Sequence, residues 1–206
     1  MGPNPLDYGW WLASRSAGIV AFLGVSISVL CGLLMANNLP RRRGAKKRLL
    51  AIHEIASLSG LAALAAHGLL LLGDGWLKPG VTGIAIPFTM DYRPAFTGLG
   101  IVAGWTLAIL GPSFYLRRRI GPKLWRQVHR WTIAGWVLAV VHVLGSGTDA
   151  RQSWLQAIIF VTAVPIAGLF TLRMLRPAPA PRPNRPADGP APRDGLPRSA
   201  QPVSAA

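Results

Sequence analysis

The sequence is poor in acidic residues and in cysteine. Its 206 residues include seven aspartates and glutamates against 22 lysines and arginines, and a single cysteine, Cys31. One cysteine excludes an internal disulfide, and the paired-cysteine motif for covalent cofactor attachment is absent. The formal net charge of +15 would suit a nucleic-acid partner. The basic residues, however, lie between apolar runs and in the C-terminal segment, so we exclude nucleic acid as a partner.

Charged residues make up only 14% of the chain and are scarce inside several long apolar runs. A helix needs about 20 apolar residues to cross a bilayer. The runs therefore predict an all-α integral membrane protein, a bundle of about five transmembrane helices in contact with lipid. Neither lysine nor arginine precedes the first run, so we expect no cleavable signal peptide. Pro165 is expected to kink the last of the five helices, which cover approximately residues 10–35, 49–72, 95–116, 122–144 and 154–175.

The ends of the chain differ from its centre. Residues 1–9 form a short N-terminal segment, residues 10–175 the membrane domain, and residues 176–206 a tail rich in Pro, Arg and Ala. Such a tail buries too little apolar surface to offset the entropy of ordering, so it is predicted to be disordered. All but four of the lysines and arginines would lie on the tail's side of the membrane, which is therefore cytoplasmic. We expect a multi-pass plasma-membrane protein with its N-terminus outside.

The four histidines all fall on the second and fourth predicted helices. His53 and His129 lie near the cytoplasmic ends, and His67 and His142 near the outer ends. Ionisable residues inside a membrane helix are costly and usually functional. Two imidazoles from facing helices at each level match the needs of a six-coordinate b-type haem, with the four histidines as axial iron ligands. Simple helix contacts are the alternative, and the two levels are too far apart to share one zinc or copper ion.

The spacing of the histidines fits one helix better than the other. His53 and His67 are 14 residues apart, which leaves them offset by about 40° on an ideal helix. His129 and His142 are 13 apart, which leaves them about 140° apart. A helix tilt, a local bulge or opposite side-chain directions must close that misfit.

Other residues are candidates for contacts with the two cofactors. Gly60 and Gly135 lie between the histidines of their helices, where glycine permits either close approach of a flat macrocycle or simple helix packing. Arg15 is near the depth of the outer pair and is expected to need an anion, such as a haem propionate, unless it snorkels to the surface. Arg126 and Arg130 flank His129 and either serve the inner propionates or are ordinary positive-inside residues.

Several stretches resemble the ferric reductase-like transmembrane domain, the haem-bearing core also found in NADPH oxidases, and in particular its small stand-alone bacterial members. The resemblance covers roughly residues 10–175 and nothing in the tail. The paired spacings of 14 and 13 look like the family's ligand motif. The stretches are WWLASRSAGIVAF, IPFTMDYRPAFTGLG, FYLRRRIGPKLWRQVHRWT and VHVLGSGTD.

The resemblance implies two non-covalent b haems and electron transfer across the membrane from a flavin or pyridine-nucleotide donor. No Gly-rich dinucleotide loop follows the last helix, so we predict no flavin or NAD(P) site on this chain. A separate flavoprotein or FMN-binding partner is expected instead. The acceptor is open among ferric iron, oxygen, a partner flavoprotein and a periplasmic methionine-sulfoxide repair enzyme. The alternatives are a non-redox transporter or assembly protein and a quinone-linked cytochrome b.

Overall fold

The structure is a computed structural model that describes residues 8–175, and the regular structure in that range is helical throughout. The predicted all-α membrane class is confirmed. The predictions for the start of the N-terminal segment and for the tail after residue 175 lie outside the described residues. A 3₁₀ turn, Leu71–Gly73, extends the second of the α-helices, which are α1 Gly9–Ala36, α2 Ala45–Leu70, α3 Gly80–Ala85, α4 Pro94–Leu110, α5 Ser113–Ile120, α6 Pro122–His129, α7 Thr132–Ser146 and α8 Ser153–Leu175.

Four of the described helical segments are long and apolar enough to span a membrane, and a bent pair makes a fifth. The bent pair is α4 with α5, which meet at 53°. The predicted single helix over residues 95–116 is therefore wrong. Gly111 still has helical dihedrals and bonds to Leu107, but Pro112 has no backbone N–H to continue the i→i−4 ladder, so the helix ends at this point.

One further helix boundary differs from the predictions. Helix α2 begins at Ala45 rather than near residue 49, because Gly44 adopts a left-handed φ of 80° that lets the chain turn directly into the helix. The Gly- and Pro-rich loop after α2 contains the short helix α3. Pro165 lies inside helix α8, and the kink expected there stays a prediction.

Helix α1 lies at the centre of the bundle. In the most apolar 18-residue stretch of α1, 44% is buried, whereas the share is 11% in the corresponding stretch of each of the other three long spans. Its Val25, Val29 and Leu33 form a core cluster with Leu107 of α4, Trp136 of α7 and Ile166 of α8. The indole of Trp136 donates a hydrogen bond of 2.9 Å to the hydroxyl of Ser26 within that core. This central position brings α1 into contact with the histidine-bearing helix α2 along its length.

Candidate functional site

The structure brings the four histidines together in two pairs at two levels. His53 of α2 faces His129 at the end of α6, with ring centroids 6.3 Å apart and planes at 77°. His67 of α2 faces His142 of α7, with centroids 6.4 Å apart and planes at 71°. These are the pairs that the helix depths predicted.

Both centroid separations suit one metal ion between two imidazoles. A metal–nitrogen bond of about 2.0 Å on each side, together with the ring radius, places the centroids about 6.3 Å apart. Each pair supplies two nitrogen ligands, the number that a six-coordinate haem iron takes from the protein. A tetrahedral zinc site needs three or four protein ligands. Within residues 8–175 no group of three or more His, Cys, Asp or Glu side chains could hold a metal ion.

The Nδ1 atom of each histidine faces a backbone carbonyl oxygen of a neighbouring helix. His53 Nδ1 lies 2.8 Å from the carbonyl of Ser28, and His67 Nδ1 lies 2.9 Å from that of Ser14. A carbonyl only accepts, so Nδ1 carries the proton and Nε2 keeps a lone pair for a metal. A hydrogen bond from the second ring nitrogen to a carbonyl is typical of histidines that bind metals.

The other pair members make the same kind of contact on α4. His142 Nδ1 lies 2.9 Å from the carbonyl of Phe96. His129 Nδ1 lies 3.4 Å from the carbonyl of Leu110, which is a weaker bond. Leu110 ends α4 just before the bend, and its carbonyl also accepts a hydrogen bond from the Ser113 hydroxyl. The bend at Gly111–Pro112 thus positions an acceptor for the inner histidine.

A break in the fourth predicted helix lies directly after His129. The amide of Trp131 bonds to Val128 and that of Ile133 bonds to Arg130, both at a separation of three residues. Such 3₁₀-type turns wind the chain by about 20° more per residue than an α-helix does. The 13-residue spacing is therefore accommodated in part by a local tightening between α6 and α7, whereas the sequence analysis named a tilt, a bulge or opposite side-chain directions.

The two candidate glycines lie in helix–helix contacts. A Cβ added to Gly60 would lie 3.1 Å from the backbone nitrogen of Val25 and 3.2 Å from the carbonyl carbon of Gly24. A Cβ on Gly135 would lie 3.2 Å from the side chains of Leu107 and Thr106. Both glycines therefore permit close helix packing, which is the alternative that the sequence left open.

The candidate arginines occupy different surroundings. The Nε of Arg15 forms an ion pair with Asp149 in the turn between α7 and α8, and the guanidinium lies 5.2 Å from the ring centroid of Trp11. The anion near Arg15 in the structure is thus a carboxylate of the chain itself. Arg126 and Arg130 are exposed on either side of His129, and their propionate role stays a prediction.

Sequence reasoning missed Asp149 and the groups that hold the rings. The carbonyls carry no sequence signal, because every residue has one. The glycines beside the rings do carry a signal. Gly18 lies against His67, Gly32 lies near His53, and Gly100 lies against His142.

Long apolar helices make the chain a membrane protein, and they bring paired histidines together at two depths. A family model described as the ferric reductase like transmembrane component matches residues 17–140. The match covers more than half of the chain, so the chain belongs to this family, as the resemblance predicted. The matched region includes three of the histidines and ends two residues before His142.

Membership in this family indicates a general role in electron transfer across a membrane, and domains of this family generally bind haem. Comparison with curated proteins and with solved structures gives no match.

Proposed function

We propose that the chain is a di-haem b subunit that carries electrons across the membrane. His53 and His129 would hold the inner haem, and His67 and His142 would hold the outer haem. The observation that carries the proposal is the geometry of the two pairs. Their centroids are 6.3 and 6.4 Å apart, and all four Nδ1 atoms face carbonyl acceptors, so Nε2 is the metal-binding atom in each ring.

The residues fit the group that they would hold. When bound, each haem supplies a one-electron carrier, and the protein supplies axial ligands, burial and orientation. His53 and His67 are 14 residues apart on α2, so the two levels are separated by about 21 Å along the helix. That distance covers most of a hydrocarbon layer of about 30 Å.

The distribution of charge supports a cytoplasmic position for the proposed electron donor. The turn between α1 and α2 and the first turn of α2 together hold six basic residues, at positions 41–43 and 46–48, beside the level of His53. The positive-inside rule assigns this face to the cytoplasm. A basic face attracts an acidic or phosphate-bearing partner, so we place the electron donor on a separate flavoprotein or FMN-binding protein there. His67 and His142 would hold the outer haem at the opposite face, where the proposed electron acceptor is ferric iron, oxygen or a partner redox protein.

The test counts haems in single and paired histidine variants of the full-length, detergent-purified protein. His53→Ala and His67→Ala should each lower the pyridine haemochrome count from two toward one. Combining His53→Ala with His129→Ala should remove no more haem than either change alone, because both residues serve one iron. Combining His53→Ala with His67→Ala should remove both haems.

Two results would contradict the proposal. If the variant that combines His53→Ala with His67→Ala keeps one haem, the two histidine pairs do not each bind a haem of their own. A wild-type protein without a Soret band, purified from haem-replete cells, would favour a non-redox membrane protein that uses its histidines for helix contacts.

A further inference from the structure

Helix α1 carries no histidine, yet it contacts both histidines of α2. The carbonyl of Ser14 lies 2.9 Å from His67 Nδ1, and the carbonyl of Ser28 lies 2.8 Å from His53 Nδ1. Ser14 and Ser28 are 14 residues apart, which is the spacing of His53 and His67. Fourteen residues are nearly four turns, so each helix presents its pair close to one face. The acceptors on α1 are therefore in register with the rings on α2.

Each of these carbonyls has a glycine four residues further along the helix. Gly18 follows Ser14, and Gly32 follows Ser28. In an α-helix, residue i+4 lies one turn above residue i, and its Cβ leans back over that turn. A Cβ on Gly18 would lie 2.9 Å from His67 Nδ1. Glycine there leaves the carbonyl accessible to a donor from another helix, in addition to its own helical partner.

The same arrangement recurs on α4. Phe96 supplies the carbonyl for His142, and Gly100 follows it four residues later. A Cβ on Gly100 would collide with the His142 ring. The rings of His67 and His142 thus each contact a carbonyl that a glycine exposes, whereas a Cβ on Gly32 would stay 3.6 Å from the His53 ring. The fourth ring, that of His129, uses the carbonyl of Leu110 at the end of α4.

We propose that Gly18 and Gly100 are positioning residues that open the carbonyls of Ser14 and Phe96 to the outer histidine rings. These carbonyls fix the Nδ1–H tautomer and the direction of Nε2. Helix α1, which holds no ligand, then takes part in setting the haem reduction potentials. This inference rests on the proposed haem function.

The hydroxyls of the two serines strengthen the same contacts. Ser14 Oγ donates a bond of 2.8 Å to the carbonyl of His67, and it lies 3.1 Å from His67 Nδ1. Ser28 Oγ lies 3.1 Å from His53 Nδ1 and 2.5 Å from the hydroxyl of Ser57. Both serines are buried. Each hydroxyl therefore links α1 to α2 beside a ring and offers Nδ1 a second acceptor.

The chemical consequence is a change in ligand strength. A hydrogen bond donated by Nδ1 raises the basicity of the imidazole, which stabilises the ferric state. Loss of that bond should raise the midpoint potential of the haem concerned. A methyl group on Gly18 or Gly100 would displace an outer ring. A methyl group on Gly32 would lie 3.6 Å from His53 Cε1, an ordinary contact, and should be tolerated.

The experiment compares four single variants of the full-length protein, by potentiometric titration of both haems and by electron paramagnetic resonance of the ferric form. Gly18→Ala and Gly100→Ala should both affect the same haem, raising its potential and altering its signal, or lower the haem count toward one. The other haem remains as an internal sign of correct folding. Gly32→Ala should keep both wild-type potentials, as should the control Gly68→Ala, since nothing lies within 4 Å of a Cβ at Gly68.

The possible results separate this inference from the proposed function. Two haems with wild-type potentials and signals in both Gly18→Ala and Gly100→Ala would overturn the inference and leave the di-haem proposal standing. A wild-type protein without haem would overturn both. If neither glycine variant accumulates as folded protein, Ser14→Ala serves as the test of the inference, because it removes a hydroxyl without adding bulk. We expect a higher potential for one haem in that variant, and unchanged potentials would refute the inference.

Discussion

The crossing of α1 and α2 makes a quantitative prediction for Gly60→Ala. The new Cβ would lie 3.1 Å from the backbone nitrogen of Val25 and 3.2 Å from the carbonyl carbon of Gly24. Carbon atoms prefer separations of about 3.5–4.0 Å, and backbone atoms cannot rotate away as a side chain can. The two helices must therefore move apart by several tenths of an ångström.

The expected cost follows from two opposing effects. Overpacking in a tight contact costs about 1–3 kcal/mol. Replacing glycine by alanine within a helix stabilises the helix by about 1 kcal/mol. We therefore expect the free energy of unfolding of Gly60→Ala to fall by up to about 2 kcal/mol relative to the wild type, and by about 1–3 kcal/mol relative to a glycine-to-alanine change at an uncrowded position of the same helix. Gly60 is seven residues from both His53 and His67, so separating the helices should weaken both Nδ1 bonds to α1 and shift both haem potentials.

The assay is unfolding in mixed detergent micelles followed by tryptophan fluorescence, with a haem titration on the folded protein. Gly68→Ala is the matched control on the same helix, since its Cβ would meet nothing within 4 Å, and it should unfold no more easily than the wild type. The reasoning is refuted if Gly60→Ala is as stable as Gly68→Ala and keeps both potentials.

Two further predictions concern the ion pair and the electron path. The side chains of Arg15 and Asp149 are 32% and 17% exposed, so the energy of their ion pair should lie between that of an exposed pair and that of a buried pair. Asp149→Asn should therefore destabilise the protein by about 1 kcal/mol in thermal unfolding. The exposed Asp91→Asn should not, and equal stability of the two variants would argue against a stabilising pair. In vesicles loaded with ferricyanide, external dithionite should reduce the trapped oxidant through the wild type but not through His67→Ala; equal rates would contradict a path through the outer haem.

The predictions from the sequence were most accurate where they depended on the length and position of the apolar helices. Membrane spans and histidine depths follow from the lengths of the apolar runs, so both the class and the pairing of levels could be predicted. The bend at Gly111–Pro112 was missed because the run stays apolar beyond it. There the local backbone restriction of proline outweighs the hydrophobic pattern.

The site was predictable only for residues whose side chains act alone. Histidines inside membrane helices are conspicuous in a sequence, whereas the carbonyls that hold their rings belong to backbone shared by every residue. Asp149 lies in a turn, and its contact with Arg15 depends on how α7 and α8 pack around α1. Such contacts between distant parts of the chain require the tertiary structure.

The most direct test of the central claim is the reduced-minus-oxidised spectrum of the purified full-length protein, with a pyridine haemochrome assay for stoichiometry. The account predicts a b-type spectrum with two haems per chain. Because the ring planes lie at 77° and 71° in the two pairs, the ferric form should also show the large-g-value low-spin signals of nearly perpendicular imidazoles. A colourless protein from haem-replete cells, or one haem per chain, would contradict the account.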